Sequence, residues 1–177
     1  MFDPTIFENL KVAFENQLYD LDNLSRQIDI VDRTDRLEMS VMSRTFALRF
    51  GLADKKAVTG EIRLEASLQD LAAEILETPN ETPGCTLLVR FHLHVRDAAA
   101  QCEAVQETLQ RIWQPETPPV QRLSFVYGEE RSGYSNTAEL RFGRKINEDQ
   151  MGDIPELVDH ILRTLAELNE RAAEENL

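Results

Sequence analysis

The sequence predicts an α+β fold, with a mainly antiparallel sheet and helices packed on one of its faces. Its strand candidates alternate apolar and polar side chains, which is typical of a sheet that buries only one face. The strands of a doubly wound parallel sheet would be apolar on both faces, and these are not. The chain has 177 residues, the size of one ordinary domain. We therefore expect residues 1–177 to form a single domain.

The first 35 residues are compatible with two structures. Asp3-Pro4 resembles a helix start, with an acidic N-cap and a proline at the first helical position. Apolar residues follow at helical spacing: Phe7, Leu10, Phe14, Leu18 and Leu21. Part of this run also alternates in the manner of a strand, so periodicity does not decide between a helix and a short helix followed by a β-hairpin. Both remain open for residues 1–35.

Extended structure is predicted for residues 37–50 and 58–66. In the first stretch the large apolar residues are odd-numbered up to Val41 and even-numbered from Met42 onwards. This change near residues 41–43 indicates a bulge or a break between two strands. Residues 58–66 alternate regularly, as a half-buried strand does. Ser67 then precedes Asp70 by three positions, which resembles a capping box and predicts the start of a short helix.

Residues 85–96 form the clearest predicted strand. Its apolar side chains are odd-numbered: Leu87, Val89, Phe91, Leu93 and Val95. The even-numbered positions on the opposite face are Arg90, His92, His94 and Arg96. Asp97 then caps a helix, and the different rises of strand and helix keep Cys102 well away from Cys85. We expect both thiols to be reduced, which fits a reducing compartment.

Two more strands and a helix complete the predicted order of elements. The strands lie near residues 120–127 and 136–143, and residues 128–135 join them as a hairpin loop. Tyr127 and Tyr134, beside and within this loop, are of a residue type common at protein interfaces. A strongly amphipathic helix follows from Asp153, and the polar residues from Arg171 onwards predict a frayed tail.

The net charge of −13 disfavours two classes of partner. Non-specific binding to nucleic acid requires a positive surface, and anionic membranes attract basic segments, so we expect neither partner. The N-terminus has no basic stretch followed by an apolar one, and therefore no signal peptide is predicted. No apolar run approaches the ~18 residues of a membrane span. These features predict a cytoplasmic protein.

The sequence contains no catalytic or cofactor motif. Phosphate-binding glycine loops, zinc-protease helices, Cys-x-x-Cys pairs and nucleophile elbows are all missing, so we expect no cofactor and favour a non-catalytic protein. His92 and His94 lie on the same side of a strand, where two imidazoles can share a metal ion with a third ligand. Arg90 and Arg96 flank them, and their charge opposes a divalent cation, so no metal site is predicted.

The polar face of the predicted sheet is the candidate surface for a ligand or a partner. Its members are Arg63, Arg90, His92, His94, Arg96, Arg122 and Arg141. Arginine forks on such a face bind a carboxylate, a phosphate or an acidic patch of a partner. The alternative is that these arginines pair across the strands with Glu61, Glu65 and Glu139.

Two functions follow from this surface. The first is a non-catalytic interaction module that forms a homodimer or binds a protein partner. The second is a small anionic-ligand-binding protein or an enzyme that uses the same face. In the second case His92 and His94 would act as ligands or as acid/base groups, because histidine titrates near neutral pH.

Overall fold

The computed structural model describes residues 5–175. Its helices are α1 (Thr5–Asn23), α2 (Leu68–Leu76), α3 (Ala98–Trp113) and α4 (Ile154–Glu175). Its strands are β1 (Ile28–Glu38), β2 (Ser43–Leu52), β3 (Thr59–Ala66), β4 (Thr86–Val95), β5 (Val120–Ser124) and β6 (Tyr134–Arg141). Two 3₁₀ turns, Glu130–Ser132 and Glu148–Asp153, precede β6 and α4. Within the described range, no helix is both long and apolar enough to cross a membrane.

The six strands form one antiparallel sheet in the order β1-β2-β3-β4-β6-β5. The helices cover the face that carries Phe46, Leu64 and Phe91, which are fully buried. This confirms the predicted α+β fold with helices on one face. β1 and β5 are the two edge strands, and each pairs on one side only.

The N-terminal segment is a continuous helix, which decides between the two structures left open for it. Its buried residues form one stripe: Phe7, Leu10, Phe14 and Leu18. A strand through this segment would bury every second residue, whereas a helix buries all four of these side chains on one side. The predicted cap at Asp3-Pro4 lies outside the described residues.

The change in the positions of the apolar side chains near residues 41–43 was predicted to mark either a bulge or a break between two strands. The structure has a break. β1 ends at Glu38 and β2 begins at Ser43, and Met42 in the turn has a φ of 51°. The predicted capping box is also present, because Ser67 accepts a hydrogen bond from the backbone of Asp70 and Asp70 accepts one in return. β4 and α3 follow within one residue of their predicted positions.

The β5–β6 hairpin differs from its prediction. β5 ends at Ser124 rather than near residue 127, and β6 begins at Tyr134 rather than near residue 136. The chain leaves the sheet after Ser124 and closes through a 3₁₀ turn. It re-enters at Gly133, which has a φ of 97° and whose absent Cβ would lie 2.4 Å from the carbonyl oxygen of Val95. Glycine is required there on both counts.

The long C-terminal helix is anchored to the sheet along its length. Asn169 is buried, and its Oδ1 accepts a hydrogen bond of 3.2 Å from the backbone N–H of Val58. Trp113 at the end of α3 packs in the core and donates through Nε1 to Thr164 Oγ1 on α4 at 2.9 Å. α4 continues past Arg171, where a polar tail was expected, to Glu175.

The two cysteines are free thiols. Cys85 is buried at the start of β4, and its backbone pairs with that of Ile146. Burial, together with the negative charges of Asp70 and Glu74, raises the pKa of Cys85 to about 12. The thiol is therefore protonated and unreactive in the folded protein.

Candidate functional site

The face of the sheet turned away from the helices is the polar face, formed mainly by β3, β4 and β6. Six of the seven candidate residues lie on it: Arg63, Arg90, His92, His94, Arg122 and Arg141. The seventh, Arg96, does not, because β4 ends at Val95 and the chain turns there towards α3. Arg96 instead borders a neighbouring recess together with Asp97 and Glu175.

Glu139 is the centre of one group of ion pairs on this face. Its side chain is only 4% exposed. It accepts a hydrogen bond of 2.8 Å from Arg90 Nε and one of 3.3 Å from Arg141, and Arg122 lies 3.9 Å away. Burial alone would raise the pKa of Glu139, but the hydrogen bonds and charges of the arginines outweigh it and hold the pKa below its usual value.

Glu61 is the centre of a second group, one strand further along. Its Oε1 accepts from His92 Nε2 at 3.1 Å, and Arg90 and Arg63 approach its Oε2 to 3.6 and 4.0 Å. This Oε2 is buried and has no hydrogen-bond partner. Burial alone would raise the pKa of Glu61. The hydrogen bond to His92 and the charges of the nearby arginines lower it by more than burial raises it, so the pKa lies below its usual value.

The four arginines near Glu61 and Glu139 therefore already lie in ion pairs with carboxylates of the chain itself. Arg63 has Glu65 at 2.6 Å, and Arg90 bridges the two groups. The cross-strand pairing weighed from the sequence is present for Arg90 and Arg122. Arg63 and Arg141 instead pair with Glu65 and Glu139 of their own strands. A guanidinium that already holds a carboxylate has fewer donors left for an external anion.

The two histidines are held differently. His92 donates through Nε2 to Glu61, because a carboxylate only accepts, and its Nδ1 lies 3.3 Å from the hydroxyl of Thr137. His94 is exposed, and its Nε2 donates to the carbonyl oxygen of Ser132 at 2.5 Å. The Nε2 atoms of the two rings are thus held by partners on different elements, Glu61 on β3 and Ser132 in the loop before β6.

A recess of about 390 Å³ adjoins His94 on one side, and a second one of about 340 Å³ lies on the polar face itself. The second recess, called the cationic recess below, is bordered by basic and hydroxyl side chains. They include Arg49, Lys56, His92, His94, Ser135 and Thr137. None of the residues that line it is acidic.

Sequence reasoning missed Arg49 and Lys56 as site residues. The signal for Arg49 was present, because it alternates with the buried Leu48 and Phe50 and must therefore lie on the polar face. Lys56 lies in the turn between β2 and β3, and no periodic pattern marks a turn residue. Only the register, which places Thr59 opposite His92 and His92 opposite Thr137, brings these residues together.

The edge strand β5 and the three residues after it expose five large apolar side chains within eight positions. Their exposed fractions are Val120 46%, Leu123 40%, Phe125 54%, Val126 65% and Tyr127 94%. We call residues 120–127 the apolar edge segment. Large exposed apolar patches mark interaction sites in soluble proteins, and β5 has no strand on its outer side.

The opposite edge of the sheet is different in composition. Six of the eleven residues of β1 are charged: Asp29, Asp32, Arg33, Asp35, Arg36 and Glu38. The strand also has a register shift between Ile30 and Asp32, which indicates a bulge. Charges and bulges are the means by which proteins prevent a sheet edge from pairing with another chain. β1 is therefore protected, and β5 is not.

The fold and these surfaces define an α+β protein with an open-faced, six-stranded antiparallel sheet and one apolar edge. Comparisons with protein-family models, with curated proteins and with solved structures found no match. Among the residues that the structure describes, no three histidine, cysteine, aspartate or glutamate side chains are grouped to hold a metal ion.

Proposed function

We propose that this chain is a non-catalytic interaction module that forms a homodimer by pairing β5 with β5 of a second copy. The observation that carries the proposal is the apolar edge segment, in which Val120 and Leu123 lie on the unpaired edge strand and three further large apolar side chains follow it directly. A strand added to such an edge gains main-chain hydrogen bonds and covers apolar surface at the same time.

The sequence of the segment suits pairing with itself. In a two-fold antiparallel arrangement centred on Leu123, Val120 faces Val126 of the second copy. This arrangement requires residues 125 and 126, which lie beyond the end of β5, to extend the strand in the dimer. Arg122 then faces Ser124, so no like charges lie opposite each other. Directly opposed side chains determine much of the stability of a strand pair, and apolar pairs are favourable there.

The distribution of charge supports the same location. The chain as a whole carries −13, which opposes the approach of two copies. Within residues 120–127 the only charged side chain is Arg122. This strand is thus a part of the surface where two acidic chains can meet with little repulsion.

The test is the mass of the protein in solution, measured by light scattering at micromolar concentrations. We expect twice the chain mass of 20.3 kDa. Leu123→Lys places a charge on the paired edge and should give a monomer. Val31→Lys is the matched control, because Val31 is 53% exposed on the opposite edge, and it should leave the dimer intact.

Two results would overturn the proposal. One is a wild-type protein that stays monomeric throughout the micromolar range. The other is a dimer that survives Leu123→Lys, since this would place the interface elsewhere. A monomer that binds an extended peptide of another protein at β5 would show that the edge serves a different occupant.

A further inference from the structure

We infer that the cationic recess binds a small oxyanion, a carboxylate or a phosphate, with Arg49 as the principal ligand-binding side chain. The recess lies within one chain, on the polar face, and does not depend on dimer formation. The inference starts from Arg49, which differs from the other arginines around it in what its guanidinium holds.

Arg49 is the arginine of this part of the face that pairs with no carboxylate among the described residues, although Asp32 and Glu61 lie opposite it in the strand register. Its Nε donates to the hydroxyl of Thr59 at 2.8 Å, and this bond fixes the side chain in the partly buried floor of the sheet. Within residues 5–175 it forms no ion pair. Its two terminal nitrogens therefore remain available as a fork, the geometry with which arginine binds carboxylates and phosphates.

The other basic groups of the recess are placed to assist. Lys56 pairs with Asp29 at 2.5 Å, but both side chains are about half exposed, and exposed ion pairs of this kind are weak. Lys56 is therefore free to exchange Asp29 for a bound anion. His94 lies on the other side of the recess, with Nε2 fixed on Ser132.

Neutral donors complete the surroundings of the anion. Ser135 and Thr137 lie at the edge of the recess on β6. Glu61 lies opposite Arg49 in the strand register, but its ion pairs are with His92, Arg90 and Arg63. The recess thus has no acidic residue in its lining, although the whole chain carries a net charge of −13. Any attraction of the recess for anions must therefore come from its own basic side chains and not from the charge of the whole molecule.

The volume of about 340 Å³ limits the size of the ligand. It is at the lower end of the range of small-molecule sites. A metabolite with one phosphate or one or two carboxylates fits this volume and this charge, and a nucleic-acid strand does not. The chemistry shared by these ligands is a compact group of negatively charged oxygens.

The test is an amide ¹H–¹⁵N titration with inorganic phosphate and, separately, with acetate, at ionic strength held constant with chloride. We expect saturable shifts at Thr59, His94 and Thr137 with at least one of the two anions. The anion that binds more tightly identifies the class of ligand. Arg49→Gln should weaken binding about tenfold through loss of the charged fork, and Arg49→Lys should weaken it less.

Arg63→Gln is the matched control, because Arg63 lies on the same face but outside the recess and holds Glu65. It should leave the affinity unchanged. The inference is overturned if neither anion gives saturable shifts beyond those of chloride. It is also overturned if Arg49→Gln binds as tightly as the wild type while remaining folded.

Discussion

A Cβ placed on Gly60 would lie 3.1 Å from Cγ2 of Ile161. Helix α4 therefore packs directly on the backbone of β3, and it does so at the one position of that strand that has no side chain. This close contact is what sets the distance between the long helix and the centre of the sheet.

The first prediction concerns this contact. Gly60→Val should destabilise the protein by about 1–3 kcal/mol, because the new side chain overpacks the interface between β3 and α4. The free energy of unfolding can be followed by the fluorescence of Trp113, the single tryptophan of the chain. Ile161→Ala should cost less in the Gly60→Val background than in the wild type, because the added valine fills part of the space that the isoleucine leaves. If Gly60→Val is as stable as the wild type, the packing described here is wrong.

The second prediction concerns the buried carboxylate on the polar face. Glu139→Gln keeps the volume of the side chain but removes the charge that Arg90 and Arg141 bind. We expect a loss of about 1–3 kcal/mol in urea denaturation, since charged hydrogen bonds are replaced by weaker ones. Glu170→Gln is the control, because Glu170 is exposed on α4 and its replacement should change little.

The third prediction is a loss of stability in acid. Glu61 and Glu139 have pKa values below the usual 4.5 in the folded protein. A carboxyl group whose pKa is lowered by folding contributes stability that is complete above the pKa of the unfolded chain and disappears as the pH falls through the folded value. The free energy of unfolding should therefore decrease progressively below about pH 4.5.

The variant Glu139→Gln supplies the control for this dependence. It lacks one of the carboxyl groups whose pKa is lowered by folding, so its free energy of unfolding should fall less steeply between pH 4.5 and more acidic conditions. Parallel curves for wild type and variant would contradict the role given to Glu139. The measurement is a series of urea titrations at fixed ionic strength.

The fourth prediction concerns Cys85, whose pKa is raised to about 12. In a Cys102→Ser background, Cys85 should resist iodoacetamide at mildly alkaline pH, because the thiolate is the reactive form and is scarcely populated. Labelling detected by mass spectrometry should accelerate by more than about a hundredfold in urea, when burial is lost. Equal rates in the presence and absence of urea would contradict the buried position of the thiol.

The alternation from Leu87 to Val95 was enough to predict the strand, its two faces and the class of fold. It was not enough to predict burial on the polar face. Leu88 is an even-numbered residue of β4 and therefore lies on the polar face, yet it is only 1% exposed. In the register it lies between Arg63 on β3 and Arg141 on β6, whose long apolar stems can cover it.

The sequence offered pairing of the arginines with Glu61, Glu65 and Glu139 as one alternative, but it could not say which arginine contacts which acid. Arg90 and Glu139 are 49 positions apart, and their contact depends on β4 pairing with β6 rather than with β5. The position of Arg49 beside His92 likewise depends on three strands in register. A single sequence gives the face on which a side chain lies, but its cross-strand neighbour is set by strand order.

The end of β5 illustrates a second kind of limit. Residues 125–127 have the composition of a strand, and the sequence predicted that the strand includes them. In the structure the 3₁₀ turn and Gly133 draw the chain away from β6 after Ser124. Strand propensity describes an environment of neighbours, and these three residues have no neighbouring strand in the isolated chain.

The unequal edges of the sheet have a consequence for how far association can proceed. A sheet with two unprotected edges can add subunits without end and polymerise into filaments. Here the charged and bulged β1 would terminate growth on both outer sides of a pair joined at β5. In the proposed dimer, assembly through β5 would therefore stop at two chains, because both β5 edges are then paired and only the protected β1 edges remain.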